Sequence, residues 1–362
     1  MTADTTLVFV VLVALFFDFT NGFHDTANAI ATSVSTRAVS PRLAVLGSAM
    51  LNFAGAFLSL KVAATIAKGI VDPSAITLSV VLAGLVGAIA WNLVTWFIGL
   101  PSSSSHALVG GVLGSSVAAT GGFAVVQWHG VTQKVLVPSL LAPLLAIPTA
   151  ALLTLIVVLI VRRRAPGAVN RVFRKLQLVS AGFVSLTHGT NDAQKTMGII
   201  TLALVTTGHV SASSFHVPTW VILASATAMA AGTYVGGWRI IRTLGQRVTK
   251  LEPTHGFAAE TATASILYVT ARLGFPVSTT HAISSAILGA GATTRFSAVR
   301  WGIAGNIVIA WLLTLPAAAI FGAGIQRLTT LPAGDGLAVT AAAIIGAVAF
   351  GARRRQTRLT SA

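Results

Sequence analysis

Of the 362 residues, 54% are hydrophobic and only 9% charged, against about 25% charged in soluble domains, so the composition excludes a soluble fold and makes the bilayer the solvent. The 24 Lys and Arg against 8 Asp and Glu give a formal charge of +16. These basic residues stand in short clusters between apolar runs, which argues against a nucleic-acid surface and reads as a topology signal, while the lack of cysteine excludes disulfides and thiolate metal sites.

Apolar stretches of about 20 residues recur along the chain, and the alternating ten-residue segments of a barrel are missing from it, so the expected fold class is all-α and polytopic. The first stretch, 5–36, follows Asp4 with no basic residue ahead of it and no small-residue cleavage site behind it. It reads as a retained helix, not a signal peptide. It leads to Arg37 and Arg42, and the segments 43–66, 76–99, 102–120 and 135–160 then bring the chain to Arg162, Arg163 and Arg164. That makes five passes, with 102–120, short and rich in Gly and Ser, open to being a re-entrant element. The segments 176–206, 218–241, 257–275, 278–292 and 302–323 repeat the count, with basic clusters around Arg242 and Arg295. A last helix, 336–352, precedes a basic tail. Placing every basic cluster in the cytoplasm puts the N-terminus outside a plasma (inner) membrane and the C-terminus in the cytoplasm.

Two motifs occur twice in the same order. Gly-Leu-Pro-Ser-Ser-Ser-Ser-His at 99–106 returns as Gly-Phe-Pro-Val-Ser-Thr-Thr-His at 274–281, and Gly22-Phe23-His24-Asp25 matches Gly189-Thr190-Asn191-Asp192. An odd number of passes per half makes the repeats inverted, as in many secondary transporters. The expected organisation is a first transmembrane repeat over 1–161, a short basic cytoplasmic loop at 162–175, an inverted second repeat over 176–323, and a C-terminal transmembrane helix with a basic tail over 324–362.

Asp18, Asp25, Asp192 and Glu260 fall within or against the membrane segments, where an ionised carboxylate costs at least about 2–3 kcal/mol and marks function by default. On a helix Asp18, Asn21, Asp25 and Asn28 share an arc of roughly 80° at 3.6 residues per turn. In the second half His188, Asn191, Asp192, Gln194 and Lys195 form an equally polar stretch. Asn and Asp oxygens suit a hard cation or a proton, and Gly22 and Gly189 suggest broken helices that expose backbone groups to a cavity. His24, beside Asp25, is a candidate proton carrier. The two Pro-Ser/Thr-His runs read as helix starts, with Pro101 and Pro276 near the first turn. Helix N-termini bind anions, so Ser103, Ser104, Ser105, Ser278, Thr279 and Thr280 would clasp a tetrahedral oxyanion. His106 and His281 read as buried, hydrogen-bonded histidines rather than metal ligands.

Phe19 through Val34, with Asn21-Gly22-Phe23-His24-Asp25-Thr26-Ala27-Asn28 at its heart, resembles the signature of the inorganic phosphate transporter (PiT) family. Thr187 through Lys195 is similar to the family's second signature, and Pro276 through His281 to its third. The resemblance implies phosphate uptake by symport, with phosphate contacted by the hydroxyl runs together with Asn28, Gln194 and Lys195. It assigns the coupling ion to Asp25, Asp192, His24, Asn21, Asn191, Glu260 and Asp18. The Gly-Phe-His-Asp form resembles bacterial low-affinity permeases, which take phosphate, often as a neutral complex with Mg2+ or another divalent metal, together with protons. Sodium-coupled relatives usually carry Asn in place of His24, and eukaryotic members carry Glu near Asn52. The resemblance also implies a homodimer in a lipid membrane, with neither a catalytic cofactor nor a resident metal. A sulfate permease on the same scaffold and an uncoupled anion channel are the rival readings. No nucleotide-binding loop, nucleophile elbow or zinc motif points to an enzyme.

Overall fold

The computed structural model describes residues 3–72, 76–211, 215–331 and Thr340. Its elements are the helices α1 (Ala3–Ser35), α2 (Pro41–Gly55), α3 (Lys61–Lys68), α4 (Leu78–Ile98), α5 (Ser104–Thr120), α6 (Trp128–Val161) and α7 (Pro166–Thr206). They continue with α8 (Thr219–Val235), α9 (Trp238–Arg247), α10 (Pro253–Leu273), α11 (Thr279–Ala292) and α12 (Trp301–Thr329). Among the described residues, β pairing is limited to one bridge, Val71 with Val126.

The order of helices in α7–α12 repeats that in α1–α6. Each half has a long helix, a broken pair, a helix ended by a left-handed glycine (Gly99, Gly274), a short helix capped by serine (Ser103, Ser278) and a long helix. Packing repeats too. α1 packs on α8 and α7 on α2, while α5 lies between α4 and α12, and α11 between α10 and α6. Polarity is arranged as a bilayer demands. Ile160 on α6 and Ile320 on α12 are 73% and 74% exposed, whereas Asp18, Asp25, Asp192, Lys195 and Glu260 are buried. Water would drive the opposite arrangement, and lipid does not.

Among the described residues four helices, Asp4–Ser35, Leu78–Ile98, Trp128–Val161 and Trp301–Thr329, are long and apolar enough to cross a bilayer, and the pair α8–α9, bent by 59°, makes a fifth. Three expectations are corrected. The stretches 43–66 and 218–241 are not single helices but the broken pairs α2–α3 and α8–α9, the latter parted at Gly236, whose φ of 77° a side chain would strain. α5 and α11, with 17 and 14 residues, reach about 26 and 21 Å, short of the ~30 Å hydrocarbon core, so 278–292 does not cross alone and 102–120 follows the re-entrant alternative. Last, α1 and α7 run unbroken through Gly22 and Gly189. Those glycines let helices touch. A Cβ on Gly22 would lie 2.9 Å from the Thr233 nitrogen, and one on Gly189 2.6 Å from Asn52 Cα. The predicted helix 336–352 and the basic tail lie outside the described residues, Thr340 excepted.

Several chain ends meet on one side of the molecule. Thr36, just past α1, donates through Oγ1 to Gln177 Oε1 on α7 at 2.7 Å, and the Arg300 amide at the start of α12 donates to the Val248 carbonyl after α9 at 2.9 Å. A Cβ on Gly245 of α9 would lie 3.0 Å from the Ser35 Cβ at the end of α1, so the basic clusters near Arg37, Arg247 and Arg300 share an end.

Candidate functional site

α5 and α11 start where Ser103 and Ser278 turn the chain. Each serine Oγ accepts the amide three residues on, from His106 at 3.1 Å and His281 at 3.2 Å, leaving the first amides of each helix without intrahelical partners. Pro101 and Pro276 lie two residues ahead of these caps, near the first turn as expected. The two starts touch. Ser105 Oγ donates to the Val277 carbonyl at 3.4 Å, and the rings of His106 and His281 stand 4.9 Å apart, edge to face. His106 is held by Ser139 at 2.7 Å, as expected of a hydrogen-bonded histidine, whereas His281 lies against Trp311 with ring centroids 4.2 Å apart and both its ring nitrogens have no hydrogen-bond partner.

Against these starts lie Asp25 of α1 and Asp192 of α7. Ser104 Oγ donates to Asp25 Oδ2 at 2.8 Å, and Thr280 Oγ1 to Asp25 Oδ1 at 3.4 Å. The second half mirrors the contact, with Thr279 Oγ1 donating to Asp192 Oδ1 at 3.2 Å. Asp25 also takes His24 Nδ1 at 2.6 Å, and that ring's Nε2 is 3.2 Å from the Thr95 hydroxyl and 3.3 Å from that of Ser102. Asp192 takes Lys195 Nζ at 2.6 Å. One oxygen each of Asp25 and Asp192 and one nitrogen of His188 lie within 4.8 Å of one another. In sequence Asp25 lies more than 160 positions from His188 and Asp192.

His188 belongs to the polar stretch of the second half but not to the expected site residues, and its partners fix its chemistry. Thr233 spends its proton on the Met229 carbonyl at 2.9 Å, so it accepts from Asn52 Nδ2 at 2.8 Å. Asn52 Oδ1 is therefore the acceptor facing His188 Nδ1 at 3.1 Å. The proton of a neutral ring then sits on Nδ1, and the lone pair of Nε2 faces Asp192 Oδ2 at 3.3 Å. Two acceptors in opposition call for a proton or a metal cation between them.

The other predicted residues divide. Asn28 Nδ2 donates to Thr280 at 2.9 Å and Asn191 Nδ2 to the Val277 carbonyl at 3.2 Å, and the Oδ1 atoms of both have no hydrogen-bond partner. Asp18 and Asn21 have buried polar atoms without hydrogen-bond partners as well. Gln194 faces elsewhere. Its Oε1 accepts the Val62 amide at 2.8 Å and the Ala63 amide at 3.3 Å, and its Nε2 donates to the Thr190 carbonyl, so it caps α3. Glu260 sits apart, taking Thr32 at 2.5 Å, Ser33 at 2.8 Å, Gln177 at 3.3 Å and also Ser180. Thr32 is seven residues beyond Asp25, or roughly 10 Å along α1.

A model of the phosphate transporter family matches residues 21–167 and 161–322. The chain belongs to the phosphate transporter family. It is similar to the probable low-affinity inorganic phosphate transporters of Mycobacterium tuberculosis H37Rv, 53% identical over 88% of this chain and 76% of the relative, and of Rhizobium meliloti, 52% identical over 88% and 97%. The counterpart in Bacillus subtilis is 49% identical over 87% of this chain and 95% of its own. Among solved structures it is similar to one described as the sodium-dependent phosphate transporter, with TM-score 0.77 at 26% identity over 90% of this chain and 99% of that one. As a member of the phosphate transporter family the protein is a multi-pass membrane transporter and not an enzyme.

Proposed function

We propose that the protein imports inorganic phosphate by symport with a small cation, and that the cation works by freeing the hydroxyls that hold phosphate. The observation that carries this reading is the set of bonds from Ser104, Thr279 and Thr280 to Asp25 and Asp192. A Ser or Thr hydroxyl has one proton to give. While the carboxylates are bare they take it. When a proton or Na+ settles between Asp25, Asp192 and His188, the carboxylates have less need of those hydroxyls. They can then turn to phosphate beside the unpaired amides of the two helix starts. Phosphate bound first would find the hydroxyls still committed to Asp25 and Asp192 and meet carboxylate charge that no mobile cation has offset, so the two ligands load together. The lone pair on His188 favours a proton, while the similar solved structure, described as a sodium-dependent transporter, favours Na+. A divalent metal travelling with phosphate would find the same three ligand atoms.

For topology we propose opposed halves with the shared basic end in the cytoplasm. Single cysteines at Arg163 and Gln246, both exposed, then label only from the cytoplasmic side. Purified protein in liposomes, offered labelled phosphate under imposed proton or sodium gradients with and without Mg2+, tests the transport reading. Accumulation driven by one of the gradients, and resistant to excess sulfate, is expected. Uptake that only equilibrates under every gradient would overturn symport, and equal competition by sulfate would favour the sulfate reading.

A further inference from the structure

Asp25 and Asp192 hold equivalent places in the repeated motif, and each is followed three positions later, on the same helix face, by a polar residue: Asn28 in α1 and Lys195 in α7. The side chain of Lys195 is fully buried, and its ammonium lies 2.6 Å from Asp192 Oδ1. Asn28 gives Asp25 no charge; its amide donates to Thr280 and its Oδ1 has no hydrogen-bond partner. Asp25 is paired instead with the His24 imidazole. One half of the site thus carries a fixed cation that the other lacks.

We propose that Lys195 is a tethered cation occupying the place an exchangeable one would take on Asp192, so that each cycle carries one cation fewer than a site with an amide there. The inference rests on the cation-coupled reading above. A buried carboxylate demands compensation. The charged and titratable groups around this one are Asp18, Asp25 and His24 on α1 and His188 on α7, with His106 of α5 facing Lys195, and Lys195 is the ammonium in contact with Asp192. An ammonium bound to α7 through its own chain cannot leave with phosphate, whereas a free ion can. A simple contact between Lys195 and phosphate would instead set affinity and leave cation stoichiometry alone.

The mirror pair Lys195→Asn and Asn28→Lys decides between these. Phosphate uptake into liposomes is measured with the membrane potential clamped, and the reversal potential gives the charge moved per phosphate. Lys195→Asn is expected to move one more positive charge per phosphate and to show a steeper dependence on cation concentration. Asn28→Lys is expected to move one fewer, retaining phosphate exchange but losing gradient-driven accumulation. A Lys195→Asn protein with the wild-type charge ratio and only a raised KM for phosphate would overturn the proposal while leaving symport intact. Failure of the wild type to accumulate phosphate would strike the symport reading itself. If Lys195→Asn does not transport, its Tm in detergent is followed against NaCl and choline chloride, because an emptied cation site is stabilised by the ion that fills it. A rise specific to sodium over choline, or one on lowering the pH, that exceeds the wild type's is expected, and responses equal to the wild type's in both the salt and the pH series would overturn the proposal.

Discussion

The Asp25 and Asp192 sites share a frame and differ in their fillings. In both, a long helix crosses the core, an aspartate meets the first turn of a short helix, and a Ser or Thr hydroxyl binds the carboxylate. At Asp25 the positive partner is an imidazole that is charged only when protonated; at Asp192 it is an ammonium, with His188 turning a lone pair to the other oxygen. The lesson is that a repeated motif supplies a symmetric scaffold on which individual side chains break the symmetry. Glu260 shows the same at one end of the molecule. It gathers Thr32, Ser33, Gln177 and Ser180, whereas the matching positions of the other half are Leu85, Ile199, Ile200, Val10 and Val13.

The shared frame breaks most completely at the glycine contacts. Gly189→Val places a branched side chain against the backbone of Asn52, and overpacking of this kind costs about 1–3 kcal/mol or more. We expect no monodisperse protein by size-exclusion chromatography of the detergent-solubilised variant, with the same outcome for Gly22→Val. Asp25→Asn and Asp192→Asn should each abolish gradient-driven accumulation while keeping some phosphate exchange, measured in the same liposomes, because Asn preserves shape but holds neither proton nor charge. Full concentrative uptake by either variant would remove that carboxylate from coupling.

Much of this comparison is legible in the sequence. The doubled motifs place Asp25, Asp192 and the hydroxyl runs in register, and their rarity in apolar segments marks them. The meeting of Asp25 with Asp192 is not legible, since it depends on how α1 and α7 pack through α2 and α8. Nor is the role of Gln194, whose target is the start of α3, a helix that exists only because 43–66 breaks. Gly22 and Gly189 mislead for a related reason. A glycine in a helical run permits either a break or a close contact, and the neighbour decides which.

Smaller changes sharpen the contrast between the halves. Ser104→Ala and Thr279→Ala each remove one hydroxyl from the clasp and are expected to raise the KM for phosphate about tenfold, equivalent to about 1.4 kcal/mol, with the protein still folded. An unchanged KM in both would dissolve the clasp. His24→Asn should have the least effect on maximal rate yet flatten the dependence of uptake on pH between about 5.5 and 8, the span in which imidazoles ordinarily titrate. An unaltered profile would leave His24 as a packing residue.

The claim that a cation releases hydroxyls to phosphate is a statement about linkage, and linkage can be read at equilibrium. Labelled phosphate binding to the purified protein, titrated at a series of fixed sodium concentrations and pH values, measures it without any membrane. The account predicts that phosphate affinity climbs with the concentration of the coupling cation in the wild type and stays flat in Asp25→Asn. Phosphate affinity in the wild type that is indifferent to both sodium and protons would contradict it.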